Sequence, residues 1–161
     1  MARVVAGRIA LVVSEYHAFV TEGLESGARA ALAEAGWGDE ELERFLVPGA
    51  FELPQAAKRV AESGRFAAVI CLGCLIRGET PHFDYIAQAA ATGIMHASQS
   101  TGVPVAFGLL TTNTVDEAIA RAGSGPANKG REAAIAVVAM VRLYRRIDGA
   151  GGSRDDDWEE S

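Results

Sequence analysis

Residues 67–82 read Ala67-Ala68-Val69-Ile70-Cys71-Leu72-Gly73-Cys74-Leu75-Ile76-Arg77-Gly78-Glu79-Thr80-Pro81-His82, and this stretch decides the fold class. Its first part is a short apolar run with no polar alternation. That pattern predicts a strand over 67–74 that is covered on both faces, as strands of parallel sheets are. Gly78 then permits a tight turn, Thr80 is a helix-capping residue, and Pro81 suits a first helical position. The spacing predicts a helix over 81–100 that stops before Gly102. Strand, tight turn and helix in direct succession form the repeating unit of an α/β protein.

The same alternation extends in both directions. Short apolar runs at 8–13, 43–47 and 103–110 predict three further strands. Val20, Leu24, Ala28, Ala31 and Ala35 recur at helical spacing, with Gly36 as the stop. A second helix is expected over 53–63, before Gly64. With the helix over 81–100 as the third, a fourth follows over 114–122, opened by a Thr114–Glu117 capping box and ended by Gly123, and the last over 128–147. These elements predict a flavodoxin-like doubly wound sandwich around a four-stranded parallel sheet. It forms one domain over 1–148, followed by a flexible acidic tail over 149–161. Ligands of such sheets bind beyond the carboxyl ends of the strands. That rule nominates the turns at 14–19, 48–52, 75–82 and 111–114.

Composition narrows the function classes. At 161 residues, 49% apolar and 22% charged, the chain suits a single packed core. No apolar run approaches the roughly 18 residues of a membrane span. Met1-Ala2-Arg3-Val4-Val5 lacks the pattern of a secretory signal, so a cytoplasmic location is expected. Most of the net charge of −6 comes from Asp155, Asp156, Asp157, Glu159 and Glu160, and no basic stripe suggests nucleic acid. Cys71 and Cys74 have redox or metal spacing, but three residues apart on a strand they face opposite sides. Cys71 therefore reads as core and Cys74 as pocket wall. Residues 133–141 are apolar on every face of the last helix, which predicts contact with a second subunit.

The turn at 77–82 carries the clearest chemistry. Backbone N–H groups of Gly78, Glu79 and Thr80 are placed to face an anion at a helix start. His82 in the first helical turn is suited to proton transfer, its neutral form favoured by the helix dipole. The same residues also suit a capped surface helix with an incidental histidine. Pro48-Gly49-Ala50-Phe51-Glu52 offers accessible amides and a carboxylate to a polyol or ring amide, or is an ordinary strand-to-helix connection. Arg121 and Lys129 flank a Gly-rich loop and offer positive charge to a phosphate. His17 and His96 are weaker candidates. Patterns for dinucleotides, nucleoside triphosphates and zinc proteases are absent.

Taken together, four blocks resemble the lumazine synthase family over roughly residues 8–145. They are Val47-Pro48-Gly49-Ala50-Phe51-Glu52-Leu53-Pro54, the segment from Gly73 through His82 to Phe83-Asp84-Tyr85, residues 102–112, and Ala118–Gly123 with Asn128-Lys129-Gly130. The resemblance implies condensation of 5-amino-6-(D-ribitylamino)uracil with 3,4-dihydroxy-2-butanone 4-phosphate to 6,7-dimethyl-8-ribityllumazine, a transferase step of riboflavin biosynthesis that uses no cofactor and no metal. By position, it implies that His82 transfers protons, while Glu79, Thr80 and Arg121 bind phosphate. Ala50, Phe51 and Glu52 would bind the ribityl chain, and Cys74, Leu75 and Ile76 the pyrimidine edge. Tyr16 would stack on the pyrimidine, with Phe107 and Lys129 supplied by the adjacent subunit. It also implies a homo-oligomer with sites between subunits.

Three departures from the family pattern stand out. Glu15-Tyr16-His17 replaces Arg, then Trp or Phe, then Asn; Pro81 takes a position often held by Thr or Tyr; and Gly123-Ser124-Gly125-Pro126-Ala127 replaces the loop associated with icosahedral shells. The last favours a pentamer or a pair of pentamers over a sixty-subunit shell. The alternative is a non-catalytic paralogue that binds a lumazine or flavin, or a scaffold. Retention of His82, Arg121 and Lys129 favours the enzyme. A flavodoxin-like electron carrier is disfavoured, because Ser14-Glu15-Tyr16-His17 is not the Ser-, Thr- and Gly-rich loop expected after its first strand.

Overall fold

The computed structural model describes residues 7–149; the acidic tail, from residue 150 on, lies outside the described residues. Four strands, β1 (Arg8–Ser14), β2 (Leu42–Val47), β3 (Phe66–Ile76) and β4 (Val105–Thr112), form one parallel sheet in the order β2-β1-β3-β4. The helices are α1 (Ala18–Glu34), α2 (Leu53–Glu62), α3 (His82–Thr101), α4 (Val115–Ala120) and α5 (Lys129–Asp148). This is the flavodoxin-like α/β sandwich expected from the strand and helix alternation. Its strand order reverses between β1 and β3, and such a switch point opens a crevice at the carboxyl ends of the strands.

The period-two geometry of β1 and β3 builds two cores. Ile9, Leu11, Val13, Ala68, Ile70, Leu72 and Cys74 pack in a cluster with α1 and α5. Ala10, Val12, Val69 and Cys71 pack in a cluster with α2 and α3. Burial of each Val, Leu or Ile side chain contributes roughly 1.5–3 kcal/mol, which is why the unbroken apolar run becomes the central strand. Cys71 and Cys74 lie on opposite faces. Burial pushes the Cys71 thiol up to about 12 and Cys74 up to about 11. Both thiols should therefore resist Ellman's reagent in the native protein at pH 8 and react fully in guanidinium. Fast reaction of either in the native state would contradict this packing.

Several boundaries differ from expectation. β3 runs on to Ile76, and β4 spans Val105–Thr112 because Leu75 and Ile76 pair with Thr111 and Thr112. Periodicity does not register backbone pairing through polar threonines. α3 begins at His82 rather than Pro81: the Pro81 carbonyl accepts from Asp84 N at 3.0 Å and from Tyr85 N at 3.3 Å. Thr80 is thus one residue too early to be the cap, and its hydroxyl reaches only His82 N, at 3.4 Å. α4 is shorter than expected. Its cap holds, with Glu117 N donating to Thr114 Oγ1 at 3.1 Å, but the Glu117 carboxylate accepts from Asn113 N at 2.8 Å.

α1 and α5 meet backbone to backbone. A β-carbon on Gly130 would fall on the Leu24 carbonyl oxygen, and one on Gly23 on the Ala122 carbonyl oxygen. Between them, buried Asn128 donates to Gly23 O at 2.9 Å and Gly123 O at 2.8 Å, and accepts from Arg131 N at 2.9 Å. One side chain so ties the loop to α1 and caps α5. The opposite side of α5 leaves Ile135, Met140, Leu143 and Ile147 exposed. No described helix is long and apolar enough to cross a membrane.

Candidate active site

A cleft of about 540 Å³ opens at the carboxyl ends of β1, β2 and β3, at the switch point. Its lining comes from Tyr16 and His17 after β1, Gly49 to Glu52 after β2, the last two residues of β3, Leu75 and Ile76, then Gly78 and Thr80 in the turn that follows, and His82 at the start of α3. Local sequence explains each. Gly49 is extended, with φ −154°, and its carbonyl accepts from Glu52 N at 3.1 Å, so Ala50–Glu52 forms a single 3-10 turn. Ala50 is buried, leaving Phe51 exposed at the rim and Glu52 half-buried facing the cleft.

In the third turn, the N–H groups of Gly78, Glu79 and Thr80 donate no hydrogen bond among the described residues. Three free amides next to the start of α3 could donate to an anion, because helix starts carry partial positive charge. His82 follows in the first turn of α3, exposed to the cleft. Arg77 orients the turn from behind. It donates from Nε to Asn113 Oδ1 at 2.9 Å, reaches both Asp84 carboxylate oxygens at 3.1 and 3.3 Å, and lies 4.5 Å from the Phe83 ring centroid. Exposed ion pairs contribute only about 0–1 kcal/mol, so the value of this cluster is orientation. Asp84→Asn should therefore leave thermal stability within a few degrees of the parent while lowering turnover. A Tm loss matching the activity loss would reassign Arg77 to stability alone.

Cys74 and Glu79 fall outside the lining of this cleft: Cys74 is buried under α1 and α5, and Glu79 is exposed on the turn. Phe83, Ile86 and Val115 line it without having been anticipated. Ile86 lies one helical turn beyond His82, a signal the periodicity contained. Partial burial lowers the His17 pKa from its ordinary value, which favours the neutral imidazole.

Phe107, Arg121 and Lys129 do not join this cleft. They line a second one, of about 310 Å³, along β4 beside α4 and the start of α5. Lys129 N donates to Arg121 O at 2.9 Å, which holds the two cations at the two ends of one loop. Lys129 Nζ pairs with Glu132 at 2.9 Å, and Arg121 donates to Glu117 O at 3.3 Å. The chain therefore holds two separate clefts: one with a histidine, a carboxylate and free amides, the other with two cations and an aromatic ring. No cluster of three or more His, Cys, Asp or Glu that could hold a metal occurs among the described residues.

Comparison with known proteins gives one answer. Residues 6–145 match the family model described as 6,7-dimethyl-8-ribityllumazine synthase. The chain is 49% identical over 140 residues to the 6,7-dimethyl-8-ribityllumazine synthase of Chlorobium phaeovibrioides, covering 87% of this chain and 90% of that one. It is 45% identical over 141 residues to the enzyme of the same name from Deinococcus radiodurans, covering 88% and 91%. A third relative of that name, from Syntrophus aciditrophicus, is 48% identical over 140 residues, covering 87% and 91%. With the switch-point cleft and the parallel sheet, these matches place the chain in the 6,7-dimethyl-8-ribityllumazine synthase family.

Proposed function

We propose that this chain is an enzyme of riboflavin biosynthesis acting in the cytoplasm. It condenses 5-amino-6-(D-ribitylamino)uracil with 3,4-dihydroxy-2-butanone 4-phosphate, forms 6,7-dimethyl-8-ribityllumazine and releases phosphate. The observation that carries the reading is the cleft that gathers Glu52, Gly78, Thr80 and His82 at the switch point of a family member. In this reading the pyrimidine stacks on Tyr16, and its edge meets the chain at Leu75 and Ile76. The ribityl hydroxyls meet Ala50, Phe51 and the Glu52 carboxylate. The ketone phosphate sits on the amides of Glu79 and Thr80.

The reaction joins the 5-amino group to the ketone as an imine, expels phosphate, tautomerises and closes the second ring. His82 moves protons between those steps, a role an imidazole can fill because it both accepts and donates protons. Departure of phosphate needs positive charge at its oxygens, supplied by these amides and Arg121. Binding both reactants in one cleft replaces a bimolecular encounter with an oriented one. Arg121, Lys129 and Phe107 lie in the second cleft, so we infer that the complete site forms between two copies of the chain in a pentamer or a multiple of pentamers. The exposed apolar face of α5 supports that association.

The test is direct. Purified protein given both substrates should develop the green fluorescence of the lumazine at a rate above the uncatalysed reaction. A rate equal to background would overturn the enzyme reading in favour of a binding or scaffold paralogue. Sedimentation should give a mass that is a multiple of five chains.

A further inference from the structure

His17 is the only non-glycine residue with positive φ among the described residues, at φ 63° and ψ 46°. The chain on both sides of it is fixed. Glu15 N donates to Val47 O at 2.8 Å, one residue beyond the end of β1. The His17 carbonyl accepts from Val20 N at 2.8 Å and Thr21 N at 3.1 Å, so α1 hangs from it, and Val20 and Thr21 are buried. The reversal between strand and helix therefore falls on Tyr16 and His17 alone. Tyr16 is 66% exposed, and its ring packs edge-on against the His17 imidazole with centroids 4.5 Å apart. The imidazole in turn meets Phe19 at 5.7 Å with the rings nearly perpendicular. Both Tyr16 and His17 line the cleft that holds Glu52 and His82.

We propose that His17 is a positioning residue for the pyrimidine substrate: its left-handed backbone aims the Tyr16 ring over the cleft. Residues differ in their tolerance of this backbone. Every residue but glycine meets a clash there between its β-carbon and the following carbonyl, yet Asn and His are several-fold enriched in the left-handed region and Ala is not. The inference rests on the reading that the cleft binds the pyrimidine, and extends it to a residue that acts through Tyr16.

Two variants test it. His17→Ala should raise KM for the aminopyrimidine about tenfold, the size of the conformational penalty, with kcat at saturation within about twofold of the parent. His17→Asn, which keeps the left-handed turn, should bring KM back to within about threefold. Equal impairment of both variants would mean that the imidazole itself is required, and parental KM in both would mean that the turn does not hold Tyr16. Either result overturns the proposal. Crystal structures of the two variants supply a readout independent of activity: the Tyr16 ring should leave the cleft in His17→Ala and keep its place in His17→Asn. A parent protein that makes no lumazine would sink the functional reading, while the ring positions would still judge the role of His17 in the turn.

Discussion

Oligomers reassembled from equal parts of His82→Ala and Arg121→Ala subunits should recover about a quarter of parental activity, although each variant alone is nearly inactive. The argument starts from the two clefts. His82 lies with Gly78 and Thr80 in one, and Arg121 lies with Lys129 and Phe107 in the other. Loss of a positioned acid/base group costs roughly 10²–10⁴-fold in rate, so His82→Ala should keep near-parental substrate binding and a small residue of turnover. Loss of a group that stabilises developing charge costs roughly 10²–10³-fold, which is the expectation for Arg121→Ala. If each site takes its histidine from one copy and its arginine from the next, random mixing makes one site in about four with both groups intact. If one chain carried the whole site, every site in the mixture would lack one group and no activity would return. Flat activity across mixing ratios, with subunit exchange verified by mass, would rule out the shared site.

The parts of this picture legible in the sequence were those set by local pattern. The run through Ile70 and Leu72 is apolar because both of its faces are covered, so strand, parallel sheet and crevice follow from composition alone. The turn at 78–82 was legible because Gly78, Thr80 and Pro81 each restrict the backbone in a known way, even though the helix starts one residue later. What stayed hidden depends on distant contacts. Asn128 looks like an ordinary polar residue, yet it holds both Gly23 and Gly123 across the fold. Arg77 reads as a surface cation until Asn113 and Asp84 meet around it. The left-handed turn at His17 carries no glycine to announce it. The separation of Arg121 and Lys129 from His82 is a matter of which side of β4 each loop takes, and no spacing rule contains that.

Gly130→Ala should cost the protein more stability than any change in the cleft. Ala exceeds Gly by about 1 kcal/mol in helix propensity, so a site in the first turn of α5 would ordinarily gain from the change. Here the new β-carbon would meet the carbonyl oxygen, carbonyl carbon and Cα of Leu24, all of them backbone. A side chain can rotate away; a helix backbone yields only if α1 as a whole moves. Leu24 is fully buried, so that movement would open the cluster containing Val20, Ala28 and Leu32. Overpacking against side chains already costs roughly 1–3 kcal/mol, and contact with a rigid helix lies at or above the top of that range. The net change of roughly 2 kcal/mol or more is a large share of a typical domain's stability. It should appear as a fall of about 4–8 °C in Tm, or as failure to accumulate folded protein. Gly78→Ala is the contrast: its β-carbon meets nothing within 4 Å, and its Tm should match the parent. Because Gly130 follows Lys129 directly, any residual folded Gly130→Ala protein should also lose activity through the displaced cations of the second cleft. Stability equal to the parent would mean that α1 and α5 have room between them that this packing denies.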